Sequence, residues 1–131
     1  MQRRTINPWQ WQEKLGFVQA NEIAGAKRLV FCSGQVPVDS DGRPLHPGKM
    51  VEQIHQALDN LETVLAGAGL QLSDVVRLNY YTTDIPAFRK AEPELAKRLE
   101  RSGCRPTSTL LGVAALYHPD ILIEIEATAA V

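Results

Sequence analysis

Little in this sequence points to disulfide, zinc or membrane chemistry. Its 131 residues include only two cysteines, Cys32 and Cys104, and they form no Cys-x-x-Cys pair, so neither a disulfide framework nor a zinc site is indicated. No stretch approaches the roughly 18 apolar residues of a membrane helix. The first residues contain no apolar segment of the kind found in secretion signals. These absences predict a cytoplasmic protein with no membrane partner.

The sequence also lacks an excess of charge and the common cofactor motifs. Fourteen basic and 15 acidic residues give a net charge of -1, so nucleic acid is not an expected partner. There is no P-loop, no Gly-x-Gly-x-x-Gly, no Gly-x-Ser-x-Gly and no closely spaced histidine pair. We therefore expect no cofactor, no metal and no serine-hydrolase triad.

The residues that are present suit one globular domain spanning residues 1–131. Hydrophobic residues make up 44% and charged residues 22% of the chain, which is ordinary for a folded protein. A chain of this length can bury about two thirds of the surface that its unfolded form exposes. A substantial hydrophobic core is therefore expected.

Hydrophobic spacing predicts the element order β-β-β-α-β-α-β-β. The first helix carries an apolar stripe and should end near Gly67 or Gly69. The second helix is predicted over residues 88–101. Pro93 should either break this helix or mark the first turn of a new one. A Gly-containing hairpin loop, residues 24–27, should join the second and third strands. The stripe consists of Val51, Ile54, Leu58, Leu61 and Leu65. The predicted strands are residues 3–7, 17–23, 28–33, 75–83, 109–116 and 121–129.

This order indicates an α+β fold in which two helices pack on one sheet. The strand at 109–116 is apolar or small on both faces, and two helices can cover only one of them. An identical subunit is the simplest cover for the second face. The alternative is a twisted sheet whose small residues tolerate water.

The last strand carries two carboxylates on one face. Ile123 and Ile125 alternate with Glu124 and Glu126, so the glutamates should lie opposite the helices, on the face assigned to the subunit interface. A carboxylate there is costly unless it has partners or a function. Glu124 is the candidate functional residue. The alternative interpretation is that Glu124 is an ordinary solvated or salt-bridged carboxylate. Glu126 is interpreted as structural.

Several segments, in this order and spacing, resemble the RidA (YjgF, endoribonuclease L-PSP) family almost from end to end. They include Phe17-Val18-Gln19-Ala20, Ser33-Gly34-Gln35, Asn60-Leu61 in the first helix, and Glu124-Ile125-Glu126-Ala127. Any one of these segments would be weak evidence, but together they are specific for the family. The resemblance implies a chorismate-mutase-like fold, assembled as a homotrimer with a central β-barrel and with ligand clefts between neighbouring subunits.

The resemblance also implies an activity and a set of site residues. Archetypal members hydrolyse reactive imines and enamines, such as 2-aminoacrylate, to 2-keto acids and ammonia. Their arginine grips the substrate carboxylate, and a glutamate that aligns with Glu124 holds the attacking water. By the same resemblance Glu124 is the expected catalytic residue, and the expected substrate-binding residues are Phe17, Ser33, Gly34, Ser108 and Thr109.

The sequence departs from the archetypes at the substrate-gripping arginine. Archetypes have Pro-x-Arg-Ser where this chain has Pro106-Thr107-Ser108-Thr109, so either Ser108 or Thr109 takes the arginine's place. Phe17 also replaces the common tyrosine. A neutral hydroxyl binds a carboxylate less strongly than a bidentate guanidinium does.

Three functional hypotheses follow. The first is hydrolysis of an imine, enamine or related small molecule, with no cofactor. The second is a non-catalytic trimer that binds a metabolite or another protein, and the missing arginine favours it. The third is a ribonuclease or translation inhibitor, which the lack of a basic, aromatic-interleaved surface disfavours.

Overall fold

The computed structural model describes all of residues 1–131, which form six strands, two long helices and two single 3₁₀ turns. The strands are β1 (Gln2–Ile6), β2 (Ala20–Ala24), β3 (Leu29–Gln35), β4 (Val75–Thr82), β5 (Thr107–Gly112) and β6 (Ile123–Ala130). The helices are α1 (Met50–Gly67) and α2 (Ile85–Arg101), and the 3₁₀ turns are Glu13–Leu15 and Leu72–Asp74. The predicted element order is confirmed.

Four strands form the main sheet in the order β3-β6-β4-β5. Strand β6 pairs antiparallel with both β3 and β4, whereas β4 and β5 run parallel and are connected through α2. Parallel neighbours need such a crossover because a tight turn cannot join them. Strands β1 and β2 form a separate antiparallel pair. The architecture is the predicted α+β arrangement of two helices on a sheet.

The core lies between the two helices and one face of the main sheet. Helix α1 places its apolar stripe there, with Leu58, Leu61 and Leu65 completely buried, and it ends where Gly69 adopts a positive φ of 73°. From the sheet, Ile123 and Ile125 of β6 are equally buried. Because β6 is central, its alternate residues meet the helices along the whole strand.

Two local predictions were wrong. The loop at residues 24–27 does not close a hairpin, since β2 pairs with β1 and β3 pairs with β6. Pro93 does not interrupt α2, which is capped by the Asp84 carboxylate accepting from the Ala87 backbone N–H at 3.0 Å and continues to Arg101. The buried Phe88, together with other apolar residues of this helix, offsets the backbone hydrogen bond that proline removes.

The strand predicted at residues 109–116 is also different. Strand β5 begins two residues earlier than predicted and ends at Gly112, so residues 113–116 are not part of the sheet. A side chain at Gly112 would lie 3.1 Å from Ile85 Cγ1, which shows how closely the end of β5 packs on the start of α2. The outer apolar surface of β5 is therefore reduced to Leu111, which is 49% exposed.

No helix has the length and apolar character needed to cross a membrane.

Candidate functional site

The outer face of the main sheet, the face away from the helices, carries a polar network centred on Glu126. Its Oε1 accepts hydrogen bonds from the Tyr81 hydroxyl and from Asn79 Nδ2, the latter at 3.0 Å. The register places these partners on adjacent β4. The two hydrogen bonds hold the pKa of Glu126 below its ordinary value. Glu126 thus has two hydrogen-bond donors within the chain, both on one carboxylate oxygen.

Thr109 belongs to the same face, at the β5 edge. Arg77 of β4 donates to Thr107 Oγ1 at 3.3 Å and to Thr109 Oγ1 at 2.8 Å. The Arg77 guanidinium therefore bridges the parallel pair β4 and β5. The Thr109 hydroxyl is engaged by it in the isolated chain.

Glu124 shares the outer face with Glu126 but has a different environment. No hydrogen bond contributes to its ionisation, and burial, followed by the charge of Glu126, raises the pKa of Glu124. Its carboxylate lies against the backbone of Gly34, where an added Cβ would sit 2.6 Å from Glu124 Cδ. The lack of a side chain at Gly34 therefore gives the Glu124 carboxylate its place.

The bulge that ends the pairing of β3 with β6 lies beside this carboxylate. The register shifts between Cys32 and Gln35, so Ser33 and Gly34 lie in the irregular segment. Ser33 is exposed, and its carbonyl accepts from Gln35 Nε2 at 3.2 Å. The predicted residues Ser33, Gly34 and Glu124 are thus close together at one edge of the sheet.

Phe17 and Ser108 lie on the other side of the sheet. Together they line a pocket of about 280 Å³ between α2, β4, β5 and the segment before β2. The Phe17 ring meets Trp11 edge to face, with centroids 6.2 Å apart. Ser108 pairs in register with the buried Leu78, which fixes it on the helix side of β5. Since the predicted site residues occupy opposite faces, one chain does not bring them all together.

Two charged residues of this pocket were not predicted from the sequence. Arg89 and Glu92 of α2 line it, joined by an ion pair of 2.6 Å between Arg89 Nε and Glu92 Oε1. In the sequence they look like any pair of opposite charges three residues apart on a helix. The signal that distinguishes them is burial, since Glu92 is only 8% exposed.

A larger cavity of about 660 Å³ lies between the first 3₁₀ turn and the end of α2, and of the predicted site residues only Phe17 lines it. No group of three or more histidine, cysteine, aspartate or glutamate side chains converges anywhere in the chain as a metal site would require. The two cysteines are buried and unbridged.

Comparison with known proteins places this architecture in a family. The model of the family described as endoribonuclease L-PSP matches residues 13–131. Protein DfrA of Myxococcus xanthus is 31% identical over 98% of this chain and 96% of its own length. TdcF of Escherichia coli, whose name describes it as a candidate reactive intermediate deaminase, is 31% identical over 77% of this chain and 78% of its own length.

Solved structures agree with the sequence relatives. YyfB of Yersinia pestis, described as a Rid-family protein of unknown function, is similar over 100% of both chains, with a TM-score of 0.89 and 34% identity. TdcF of E. coli with bound serine is similar over 88% of this chain and 87% of its own, with a TM-score of 0.71 and 28% identity. The fold is thus the α+β, chorismate-mutase-like fold of these neighbours. The chain belongs to the endoribonuclease L-PSP (RidA, YjgF) family.

Proposed function

We propose that this protein hydrolyses small imines or enamines to a carbonyl compound and ammonia, at clefts between the subunits of a homotrimer whose sheets form a central barrel. In this proposal Glu124 positions the attacking water, while the backbone near Gly34 and the segment Ser108–Thr109 hold the substrate. No cofactor takes part.

The observation that carries the proposal is the environment of Glu124. A carboxylate whose pKa is raised, and which no hydrogen bond satisfies, is suited to accept a proton from water. Water then adds to the carbon of the C=N bond while the carboxylate takes one of its protons and passes it to the nitrogen, which gives a carbinolamine. The carboxylate next transfers the remaining O–H proton to the nitrogen as the C–N bond breaks and the C=O bond forms. The products are a C=O compound and ammonia, so atoms and charge balance. Glu126, with its bonds to Tyr81 and Asn79, has no comparable freedom.

The division of the candidate residues between two faces supports a site made by two copies. Glu124, Ser33 and Gly34 lie on the outer side near β3, whereas Phe17 and Ser108 lie on the helix side at the opposite edge strand. The sheet separates the two groups within one chain. A neighbour that presents its Phe17 and Ser108 edge to the Glu124 edge would complete the pocket, as the family resemblance implies.

The relatives support a small-molecule ligand rather than a macromolecular one. TdcF of E. coli is described as a candidate reactive intermediate deaminase, and a structure of it contains bound serine. We infer a small-molecule ligand here. Position 108 is a serine instead of the arginine found in archetypal members. For this reason a non-catalytic trimer that binds a metabolite is the alternative function.

The test is ammonia release from freshly generated 2-aminoacrylate. We expect the native protein to exceed the protein-free rate, and Glu124→Gln to reduce the catalysed rate by about 100-fold or more, in line with the usual contribution of a general base. Glu126→Gln, two residues away on the same face, is the matched control and should stay within about threefold of the native rate.

Two results would overturn the proposal. One is a native rate equal to the protein-free rate while Ser108→Arg gains activity, which would identify the native protein as the non-catalytic member. The other is a catalysed rate that Glu124→Gln leaves unchanged.

A further inference from the structure

The pocket that contains Ser108 has an apolar wall and one polar edge. Two aromatic pairs define the wall: Trp11 packs edge to face on Phe17, and Tyr80 lies 5.4 Å from Phe88 between centroids. Leu15, Leu95 and Leu110 complete it. At about 280 Å³ the cavity is smaller than the range typical of drug-sized ligands. It suits one aromatic or branched aliphatic group.

The polar edge consists of Arg89 and Glu92. Glu92 is 8% exposed, and carboxylates are rarely so buried unless they are paired. Burial raises its pKa and the charge of Arg89 lowers it, burial being the larger effect. The ion pair engages Arg89 through Nε, at 2.6 Å. The Glu92 carboxylate therefore holds the guanidinium at the rim of the pocket.

The remainder of the Arg89 guanidinium has no partner in the chain. Its ion pair with Glu92 is formed by Nε, and its side chain is 63% exposed. The two terminal nitrogens are therefore available for a ligand. A guanidinium presented in this way can bind a carboxylate through two parallel N–H···O bonds.

We propose that Arg89 binds the carboxylate of a small acid whose aromatic or branched apolar side chain fills the pocket beside Ser108. The guanidinium that β5 lacks at Ser108 is then supplied from α2, on a different wall of the same pocket. The inference rests on the proposed function for the location of the site and names its ligand class: 2-imino acids with apolar side chains, together with the 2-keto acids that their hydrolysis yields.

The test uses phenylpyruvate as the probe and calorimetry as the measurement, so that no turnover is needed. Arg89→Gln should weaken binding at least tenfold, because a charged bidentate contact is lost. Arg89→Lys should fall between the native protein and Arg89→Gln, since it keeps the charge but not the fork. Arg101→Gln, which removes the same charge from the end of α2, is the matched control and should bind within twofold of the native protein. Circular dichroism verifies that each variant is folded.

Two further ligands test each half of the proposal. Pyruvate, which lacks the ring, should bind at least tenfold more weakly than phenylpyruvate, because it leaves the aromatic wall unfilled. The uncharged ketone 4-phenylbutan-2-one should bind the native protein and Arg89→Gln equally. Equal binding of phenylpyruvate by the native protein and by folded Arg89→Gln would overturn the proposal, as would pyruvate binding as tightly as phenylpyruvate.

Failure of this inference is distinguishable from failure of the proposed function. If phenylpyruvate binding depends on Arg89 but no imine is hydrolysed, the ligand class stands and the enzymatic proposal falls. If 2-aminoacrylate is hydrolysed with dependence on Glu124 while Arg89→Gln changes no ligand affinity, the enzymatic proposal stands and Arg89 has only a structural role.

Discussion

The two faces of strand β6 have opposite characters. On the helix side Ile123 and Ile125 are completely buried, whereas on the outer side the half-buried Glu124 and Glu126 alternate with them. The outer face is also where Phe31 of adjacent β3 is 75% exposed. One face is therefore a finished hydrophobic core. The other combines carboxylates with uncovered aromatic surface, a mixture typical of a surface used for assembly or binding.

The outer face itself contains a second contrast, between Glu124 and Glu126. They lie two residues apart, yet the pKa of Glu124 is raised and the pKa of Glu126 is lowered. Burial and then the charge of Glu126 raise the pKa of Glu124, whereas hydrogen bonds from Tyr81 and Asn79 lower the pKa of Glu126. Position on a face thus predicts exposure, but hydrogen-bond partners decide the chemistry.

The largest expected effect concerns the helix side of β6, which is part of the hydrophobic core. Ile125→Ala removes a completely buried side chain, so we expect the free energy of unfolding to fall by about 2–5 kcal/mol. Thr128→Ala, on the outer face of the same strand, removes a smaller and only partly buried side chain, so it should lower the free energy of unfolding by about 1 kcal/mol or less. Urea unfolding followed by circular dichroism measures both. Similar losses in the two variants would contradict the contrast between the faces.

Smaller effects of opposite sign on the free energy of unfolding are expected when each of the two glutamates is replaced. The ionised form of Glu124 disfavours folding, because its folded pKa is raised, so Glu124→Gln should stabilise the protein near pH 7. Glu126 has the opposite shift, so Glu126→Gln should destabilise it there. Both effects should remain below about 1 kcal/mol because neither carboxylate is fully buried and solvent screens its interactions.

The pH dependence of these effects provides the check. The gain from Glu124→Gln should disappear as the pH falls below the ordinary glutamate value of 4.5, since the native residue is then protonated in both states. The loss from Glu126→Gln should disappear as the pH falls through the lowered folded pKa. Unfolding measured at pH 7 and pH 3.5 tests this, and shifts of the same sign at pH 7 would refute it.

Much of the fold could be predicted because its signals are local and periodic. The α1 stripe that includes Leu58 and Leu61, and the alternation of Ile123 and Ile125, place those residues in the core without reference to any other segment. The wrong hairpin has a different origin. The partner of β2 is β1, reached across residues 7–19, and no nearby turn residue encodes that choice. Pro93 failed as a helix breaker because tertiary burial outweighed local propensity.

The candidate site could be predicted only where a periodic pattern carried it. Alternation placed Glu124 on the outer face, but the space for its carboxylate depends on the missing side chain at Gly34 of another strand. Arg89 and Glu92 could not be recognised in advance, because their spacing is that of an ordinary surface pair and only the packing of α2 buries Glu92. Ser108 was singled out through the family resemblance, and its partners in the pocket come from three other parts of the chain.

Sedimentation equilibrium at micromolar concentration tests most directly whether copies of this chain complete the outer face and the divided site. We expect a single species with three times the mass of the 131-residue chain. A stable, folded single copy would contradict the account, because Glu124 and Ser108 would then lie on opposite sides of a sheet that nothing else completes.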